Sequence, residues 1–324
     1  MIIVQTPLRV SFFGGGTDFE GFYLQNGGGQ VLSTAIDKYT YVLVKKRIDD
    51  TIYLHYSQKE AVENVNDLKH ELVRESMKLA GVEKGVEIST FIDVREGTGL
   101  GSSSSITVGL LHALYTYKGE LKTAKTLADQ ACQIEINVLG KPMGRQDQYI
   151  AAYGDMRQIN FNRREISVEG IGLSDESRMK LSERLMLFFT NRTRKAEDIL
   201  TEQKANIADR AHVLKEMKGL ASQAKGALLA GEFDDFGAML DKSWQMKKQL
   251  ASKVSDKELD DMYKTARDNG ALGGKITGAG GGGFLLVYCP NGKKDDVRSA
   301  LRGQMEIPFQ FERDGSKVVF NYRR

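Results

Sequence analysis

The chain has 324 residues, of which 41% are hydrophobic and 27% charged, and its formal net charge is +3. These proportions are typical of a globular protein and exclude a disordered chain, and so small a charge gives no footprint for nucleic acid. The length exceeds that of one typical domain and predicts two. Cys132 and Cys289, the two cysteines, stand far apart, which favours a reducing compartment over disulfides or a zinc site.

The N-terminal sequence "MIIVQTPLRVSFF" has no basic residues before its apolar stretch and contains a proline. It therefore predicts a first strand and not a secretory signal. No run approaches the ~18 consecutive apolar residues of a membrane-spanning helix. We expect a cytoplasmic protein that contacts neither nucleic acid nor membrane and is a monomer or a homodimer.

The first part of the chain mixes strand-like and helix-like segments. Near-alternating β-branched and aromatic residues predict strands at 2–13, 30–47, 51–57 and 85–94. Helical spacing of apolar residues predicts helices at 66–81, 106–119 and 120–140. Strands first, then mixed strand and helix, favour an α+β fold over a strict alternation of strand and helix.

From about residue 176 the pattern changes to long charged segments. These predict a strand at 182–189 and amphipathic helices at 194–231, 232–254 and 256–270. A glycine-rich segment at 273–289, a helix at 292–303 and a hairpin turning at Asp314-Gly315 complete the chain. We place the domain boundary near residue 170, which gives an N-terminal domain of residues 1–170 and a C-terminal domain of residues 171–324.

The segment "EGTGLGSSSS", residues 96–105, stands between a predicted strand and an apolar helix. Helix N-termini bind anions, glycines let the backbone approach phosphate oxygens, and serine hydroxyls can cap the helix, donate to phosphate or bind Mg²⁺. The segment lacks the lysine of a Walker A loop, and its glycines at 97, 99 and 101 do not fit the Rossmann spacing. It predicts either a phosphate loop of another kind or an ordinary serine-capped helix.

Two further glycine-rich segments stand near the two ends of the chain. "FFGGGTDF", residues 12–19, places Asp18 beside a glycine turn, where its carboxylate suits either sugar hydroxyls or an Asx-type turn. "KITGAGGGGFLLVY", residues 275–288, has more glycines than a turn needs. That excess favours close approach to a ligand or to another backbone.

Two carboxylates stand in the segment "IEINVLGKPMGRQDQY". We expect Glu135 near the end of a helix and Asp147 in or just after a loop. Beside a bound nucleotide, one carboxylate could orient or deprotonate a hydroxyl and the other could hold Mg²⁺. The spacing alone is a weak signal and is more typical of surface carboxylates.

Together these segments resemble the GHMP small-molecule kinases, the family of galactokinase, homoserine kinase and mevalonate kinase. "TPLRVSFFGGGTD" is similar to the first motif of that family, "GTGLGSSSS" to its phosphate loop, and "KITGAGGGGFLLVY" to its C-terminal glycine-rich motif. The three occur in the family's order and span nearly the whole chain. The resemblance implies a two-domain α+β fold with the phosphate loop in the N-terminal domain and the active site in the cleft between the domains.

A narrower resemblance is to the branch of the family that phosphorylates D-glycero-D-manno-heptose 7-phosphate. It rests on "TPLRVSFFGGGTDF", "GRQDQYIAAYGD", "FFTNRTRKAEDIL" and "KITGAGGGGF". Galactokinase-type members have a glutamate and a histidine where Gly15 and Gly16 stand here, so the chain departs from galactose recognition.

The resemblance also implies roles for individual residues. Asp147 matches the catalytic aspartate and Arg9 the basic residue near the transferred phosphate. Glu135 and a serine, Ser103 or its neighbour Ser102, match the Mg²⁺ ligands. The ATP-binding residues implied are Gly97, Gly99, Leu100, Gly101, Ser102, Ser103 and Ser104.

The acceptor sugar and its own phosphate need further contacts. On the sugar side the implied residues are Gly15, Gly16, Thr17, Asp18, Gly280 and Gly281. Cations that could bind a substrate phosphate are Arg192, Arg194 and Lys195, with Lys275 and Arg145 as further candidates. An alternative is that these cations are solvated helix-surface charges.

The function implied is an ATP- and Mg²⁺-dependent sugar kinase. It would phosphorylate the anomeric hydroxyl of the heptose 7-phosphate to give the 1,7-bisphosphate for nucleotide-heptose biosynthesis. The alternatives are another sugar-1-kinase, acting on fucose or an unphosphorylated heptose, or a nucleotide-binding sensor without catalysis.

Overall fold

The computed structural model describes residues 1–193 and 196–322 of the chain. The strands are β1 (Ile2–Phe13), β2 (Gly29–Lys46), β3 (Ile52–His55), β4 (Lys59–Val62), β5 (Val86–Ile92), β6 (Met156–Phe161), β7 (Ile166–Gly170), β8 (Leu185–Phe189), β9 (Gly273–Ile276), β10 (Phe284–Tyr288) and β11 (Lys317–Asn321). The helices are α1 (Glu20–Tyr23), α2 (Glu71–Ala80), α3 (Ser102–Lys118), α4 (Ala124–Cys132), α5 (Gln146–Tyr153), α6 (Asp175–Glu183), α7 (Ala196–Ala205), α8 (Ala211–Ala230), α9 (Phe233–Lys247), α10 (Lys257–Asp268) and α11 (Lys294–Ala300). A 3₁₀ turn (Val65–Asp67) precedes α2, and a π-helical segment (Gln133–Val138) follows α4.

An eight-stranded sheet forms the N-terminal half, in the order β11-β1-β2-β5-β3-β4, with β6 pairing to β2 and β7 to β6. Its long strand β2 pairs with β6 over Gly29–Thr34 and with β5 over Thr40–Lys46. The other edge of β2 pairs antiparallel with β1, with register shifts after Pro7 and after Ser11. Such shifts bend a strand and redirect its side chains, and here they stand beside Arg9, which faces the functional site.

Helices α2, α3, α4 and α5 cover one face of this sheet. The core between them contains Val42, Val44 and Ile88 from the strands with Leu110 and Leu114 from α3. Most of helix α3 is buried, because small and apolar residues lie on all its sides from Ser104 to Thr116. A buried helix at the centre of the half holds its N-terminus in a fixed position, and the functional loop leads directly into that end.

A three-stranded antiparallel sheet, β8-β10-β9, forms the centre of the C-terminal half. One of its cores includes Trp244 and Tyr263. Another core is shared with the N-terminal half, because Phe12 and Phe13 of β1 pack edge-to-face on Phe236 of α9. The two halves therefore meet through buried aromatic side chains.

The α+β fold and most predicted elements are confirmed. The helix predicted at 66–81 is α2, and it ends as expected at Gly81 in the left-handed conformation. The helix predicted at 194–231 contains α7 and α8, separated by a turn at 206–210. The sequence reasoning did not identify β6, β7, α5 or α6.

The hairpin predicted at Asp314-Gly315 is wrong. The residues before the turn lie along β2, with a bridge between Ile36 and Phe311, whereas β11 after the turn pairs with β1. The segments before and after the turn therefore pair with different strands and not with each other. The free edge of β1 offers the second segment backbone hydrogen bonds along the whole of β11. A side chain at Gly315 would meet the carbonyl of Ala152 at 2.1 Å, so its glycine serves close backbone contact.

No helix in residues 1–193 and 196–322 has the length and apolar character needed to cross a membrane. Cys132 and Cys289 are both buried free thiols.

Candidate active site

A cavity of about 800 Å³ lies where the two halves meet. The N-terminal half contributes the end of β1, the glycine turn after it, the loop before α3 and the first turn of α5. The C-terminal half contributes α7, the end of α9, and the segment that begins in β9. The cavity is large enough for a nucleotide phosphate chain and a small acceptor.

The glycine-serine loop enters α3 at one wall of this cavity. Gly97, Gly99 and Gly101 have φ of 74°, 79° and 78°, a region that favours glycine. Gly101 is the N-cap of α3 and no side chain caps the helix, so the serine-capped alternative is not what forms. Ser102, Ser103 and Ser104 follow in the first turn, and all three line the cavity. Their backbone N–H groups belong to the end of a helix that attracts anions.

The C-terminal glycine-rich segment packs on this loop backbone to backbone. A Cβ at Gly99 would lie 2.6 Å from the carbonyl oxygen of Thr277, and one at Gly278 would lie 2.6 Å from the Cα of Gly99. Thr277 Oγ1 also donates to Thr98 O at 3.0 Å. Of the two readings of this segment, close approach to another backbone accounts for these glycines, and the loop is held by the opposite half of the molecule.

Arg9 and Asp147 form a two-pronged ion pair inside the cavity. Arg9 Nε donates to Asp147 Oδ1 and Arg9 Nη2 to Asp147 Oδ2, both at 2.7 Å. Arg9 Nη1 donates to Gly99 O at 2.6 Å, which joins the pair to the glycine-serine loop. Asp147 lies in the first turn of α5, directly after a loop, as predicted. A guanidinium held by two parallel bonds fixes the carboxylate in one orientation.

Glu135 is fully buried in the π-helical segment, at the end of the helical region as predicted. Its Oε1 accepts from Ser103 Oγ at 2.5 Å and its Oε2 from Gln148 Nε2 at 2.6 Å. Burial raises the pKa of Glu135, and these two hydrogen bonds oppose the rise. The π-helical turn places this carboxylate against the start of α3, and such turns are frequent at functional sites.

Asp18 lies beside the start of α5, where the glycine turn after β1 meets the cavity. Its Oδ1 accepts from Gly16 N at 2.9 Å and its Oδ2 from Gln146 N at 3.1 Å, so it both closes the glycine turn and lines the cavity. Burial raises the pKa of Asp18. Gly15 and Gly16 also line the cavity. Thr17 lies behind them, with its buried hydroxyl bonded to the Gly14 carbonyl at 2.8 Å.

Lys275 of β9 lines the same cavity and is 2% exposed. Its Nζ donates to the carbonyl of Phe12 in β1 at 3.0 Å. Burial, and then the neighbouring charge of Arg9, lowers the pKa of Lys275 to about 7.

Several predicted residues lie away from the cavity lining. Arg192 is paired with Asp256 at 2.7 Å, and Arg145 with Glu20 at 3.1 Å. Gly280 and Gly281 pack on the backbone of Val254, and Leu100 is part of the shared core. Arg194 and Lys195 lie outside the described residues.

Several side chains that line the cavity were not predicted from the sequence, among them Ser11, Lys141, Gln146 and Lys247. Ser11 stands two residues after Arg9 on the same strand, so strand alternation would have placed both on one face. Lys141 belongs to the loop between Glu135 and Asp147, and Gln146 is the first residue of α5. Lys247 gives no signal in the sequence, because a lysine on a charged helix normally faces solvent.

This arrangement combines an anion-binding helix end, a buried carboxylate beside a serine hydroxyl, and an oriented carboxylate paired with a guanidinium. Phosphoryl transfer needs these groups, since the protein positions the phosphate chain and stabilises charge around it.

The comparisons with known proteins give the class. Residues 60–155 match the family described as GHMP kinases N terminal domain, and residues 224–307 match GHMP kinases C terminal. The chain belongs to the GHMP kinases, phosphotransferases with an alcohol group as acceptor and ATP as donor, and the resemblance of the three motifs is confirmed.

Individual relatives are more specific. Over 98% of both chains, the sequence is 33% identical to D-glycero-alpha-D-manno-heptose 7-phosphate kinase of Campylobacter jejuni. It is 25% identical to the bifunctional fucokinase/GDP-fucose pyrophosphorylase of Arabidopsis thaliana over 95% of this chain and 31% of that one. In fold it is similar to a D-glycero-D-manno-heptose 1-phosphate kinase from Bacteriodes thetaiotaomicron, with a TM-score of 0.83, 23% identity and full coverage of both chains.

Proposed function

We propose that this GHMP kinase is a sugar kinase that transfers the γ-phosphoryl group of ATP to the anomeric hydroxyl of D-glycero-D-manno-heptose 7-phosphate. The product is the 1,7-bisphosphate, a precursor for nucleotide-heptose biosynthesis. The observation that carries the proposal is the full-length likeness, at 33% identity, to a kinase named for this substrate. Because the match covers both halves, it includes every wall of the cavity.

In this proposal Asp147 orients the acceptor hydroxyl and takes its proton. Arg9 holds the Asp147 carboxylate in place and offsets negative charge that develops as the bond to phosphorus forms. The backbone of Gly97, Gly99 and Gly101 with the first turn of α3 cradles the ATP phosphates. The 2.6 Å hydrogen bond from Arg9 to the Gly99 carbonyl supports this arrangement, because it fixes the position of the glycine-serine loop relative to Arg9 and Asp147.

We assign Mg²⁺ to Glu135 and Ser103. Their oxygens are 2.5 Å apart, and both are the hard ligands that Mg²⁺ prefers. Glu135 is a buried carboxylate, and a cation would offset the cost of burying its charge. Mg²⁺ held there would offset negative charge on the phosphates of ATP. The role of the protein is to position the oxygens of Glu135 and Ser103 for the metal.

The sugar is proposed to lie between Asp147 and the turn that holds Gly15, Gly16 and Asp18. A Cβ at Gly144 would lie 2.0 Å from Asp18 Oδ2, so a glycine there leaves room for the carboxylate. The substrate's own phosphate stays assigned to Arg194 and Lys195 by sequence alone, and the flanking residues Thr193 and Ala196 line the cavity.

A panel of acceptors tests the substrate. Purified enzyme with ATP and Mg²⁺ is offered the heptose 7-phosphate, the unphosphorylated heptose, fucose, galactose and mevalonate, and the products are identified by phosphorus NMR. We expect a new anomeric phosphate signal with the heptose 7-phosphate and a kcat/KM at least about a hundredfold above that of the unphosphorylated heptose, because a bound phosphate adds charge-assisted hydrogen bonds. Equal rates with both heptoses would remove the 7-phosphate from the proposal, and a preference for fucose would support the alternative that the fucokinase likeness favours.

A further inference from the structure

We propose that Lys275 is a further catalytic residue for phosphoryl transfer: its ammonium group contacts the transferred phosphoryl group from the C-terminal half, while Arg9 reaches it from the N-terminal half. This differs from a role in binding the far phosphate of the sugar. The inference rests on the phosphoryl transfer common to the family and on the proposed roles of Arg9 and Asp147, and not on the identity of the sugar.

Lys275 lies on the cavity wall close to the strand that holds Arg9. It lines the cavity from β9 and its Nζ donates to Phe12 O at 3.0 Å, near the end of the strand that holds Arg9. Arg9 is the charged group that acts on it, and Arg9 is bonded to Asp147 and to the loop carbonyl of Gly99. Lys275 therefore lies near the part of the cavity where the glycine-serine loop meets Arg9 and Asp147.

The buried ammonium group of Lys275 has no carboxylate partner among the described residues. Lys275 is 2% exposed, and among the described residues no carboxylate forms an ion pair with it. Besides burial, Arg9 of β1 is the charge that lowers its pKa, and the other charged side chains on the cavity wall are Asp18, Glu96, Lys141, Asp147, Glu197 and Lys247. Asp147 is already bound on both oxygens by Arg9. A buried ammonium without a carboxylate is costly, and an anion in the cavity would offset that cost.

The chemistry identifies that anion. In phosphoryl transfer, charge is spread over the equatorial oxygens of the moving group, and preformed donors around it stabilise the transition state. Arg9 reaches this point from the N-terminal half and Lys275 from the C-terminal half. The transfer site is then complete only when both halves are in contact, as they are across β1 and β9.

The experiment compares the wild type with Lys275→Met and Lys275→Arg, using the best acceptor of the panel. Methionine keeps the length of the side chain without its charge, and arginine keeps a charge that does not titrate in this range. Lys218→Met is the matched control, because Lys218 also donates to a main-chain carbonyl, Gly27 O at 2.6 Å, but lies outside the cavity lining.

We expect Lys275→Met to lower kcat by about a hundredfold, with the KM values for ATP and acceptor within about threefold of wild type, as for loss of one transition-state donor. Lys275→Arg should recover part of that loss, and Lys218→Met should equal wild type. A kcat change within about threefold for Lys275→Met, or a loss confined to the KM of phosphorylated acceptors, would overturn the proposal.

The pH profile separates this role from a structural one. The wild-type kcat/KM should fall as pH rises through about 7, because the free enzyme then loses the charge of Lys275. The corresponding fall in kcat should lie at higher pH, because a bound anion favours the charged lysine. Both falls should be missing in Lys275→Met and in Lys275→Arg, and their persistence in either variant contradicts the inference.

The test does not depend on the heptose. If the heptose 7-phosphate is not phosphorylated, the substrate proposal fails and the comparison proceeds with whichever sugar of the panel is turned over. If no sugar is phosphorylated, the reaction measured is the hydrolysis of ATP, in which water accepts the same phosphoryl group.

Discussion

At the scale of single residues, the pair of Arg9 and Asp147 is fixed before any substrate arrives. Two bonds of 2.7 Å hold the carboxylate in one plane, and a third ties the guanidinium to Gly99. Preorganisation of this kind removes the reorientation that a free carboxylate would need in the reaction.

We predict that Asp147→Asn lowers turnover by at least about a hundredfold, because an amide cannot take the acceptor's proton. ATP affinity should change by less than about threefold, since Asp147 contacts the loop only through Arg9. Steady-state turnover and calorimetric titration with ATP measure the two effects. Asp49→Asn is the control, because Asp49 forms a similar two-pronged pair with Arg47 at the protein surface. Near-normal turnover of Asp147→Asn would remove Asp147 from the catalytic role.

The serine next to Glu135 is the second residue-scale prediction. Ser103, and not Ser102, donates to Glu135, so Ser103→Ala should raise the Mg²⁺ concentration for half-maximal rate by about tenfold. Ser102→Ala should change the KM for ATP without changing the Mg²⁺ requirement. Rate measured against Mg²⁺ at saturating ATP and acceptor decides between them. The reverse pattern would assign the metal to Ser102.

At the scale of secondary-structure elements, the glycine-rich segments show what sequence can foresee. Their excess of glycine indicated close approach, and the structure shows which group is approached: Gly278 contacts Gly99, and Gly283 contacts Thr98. The sequence could not choose between ligand and backbone, because both require the same absence of a side chain. The hairpin at Asp314-Gly315 failed for a related reason, since a turn signal is local and strand pairing is not.

The contact between the loop and the C-terminal segment gives a prediction about stability. Gly99→Ala places a Cβ 2.6 Å from the Thr277 carbonyl at a φ of +79°, so we expect a loss of about 2–4 kcal/mol in the free energy of unfolding. Gly219→Ala is the matched control in the middle of α8, where a Cβ meets nothing within 4 Å. It should gain about 0.5–1 kcal/mol. Urea unfolding measures both, and equal effects would contradict the close contact.

At the scale of the whole molecule, the candidate site was foreseen unevenly. Asp147, Glu135 and Ser103 were predicted through the resemblance of their segments to a known family, and their roles stay predictions. The structure places Ser103 against Glu135, and Asp147 in the cavity wall. Lys247 was not predicted, because its burial and its bond to the Gly278 carbonyl depend on how α9 packs against β9 and the glycine-rich segment after it. Burial that arises from tertiary packing leaves no local trace in a single sequence.

The two halves share more than the cavity. The last strand, β11, pairs with the first, β1, so the chain's end completes the N-terminal sheet. Leu8 and Phe12 of β1 belong to one core with Leu214 of α8 and Phe236 of α9. A fragment ending at the proposed boundary near residue 170 would expose both that core and the open edge of β1. The boundary near residue 170 remains a prediction. These contacts imply that neither half is stable without the other, although the two halves are separate in sequence.

We therefore predict one cooperative unfolding transition for the whole chain. Trp244 is the single tryptophan and is fully buried in the C-terminal half, so its fluorescence reports that half, whereas far-ultraviolet circular dichroism reports helices and strands of both. In urea the two signals should give the same midpoint, because exposing the shared core in one half removes the partner surface of the other. Leu8→Ala is the matched test on the N-terminal side of the core. It should lower the free energy of unfolding by about 2–5 kcal/mol. Both midpoints should then move to lower urea by the same amount. A shift in the circular dichroism midpoint that leaves the Trp244 midpoint in place would show that the halves unfold independently.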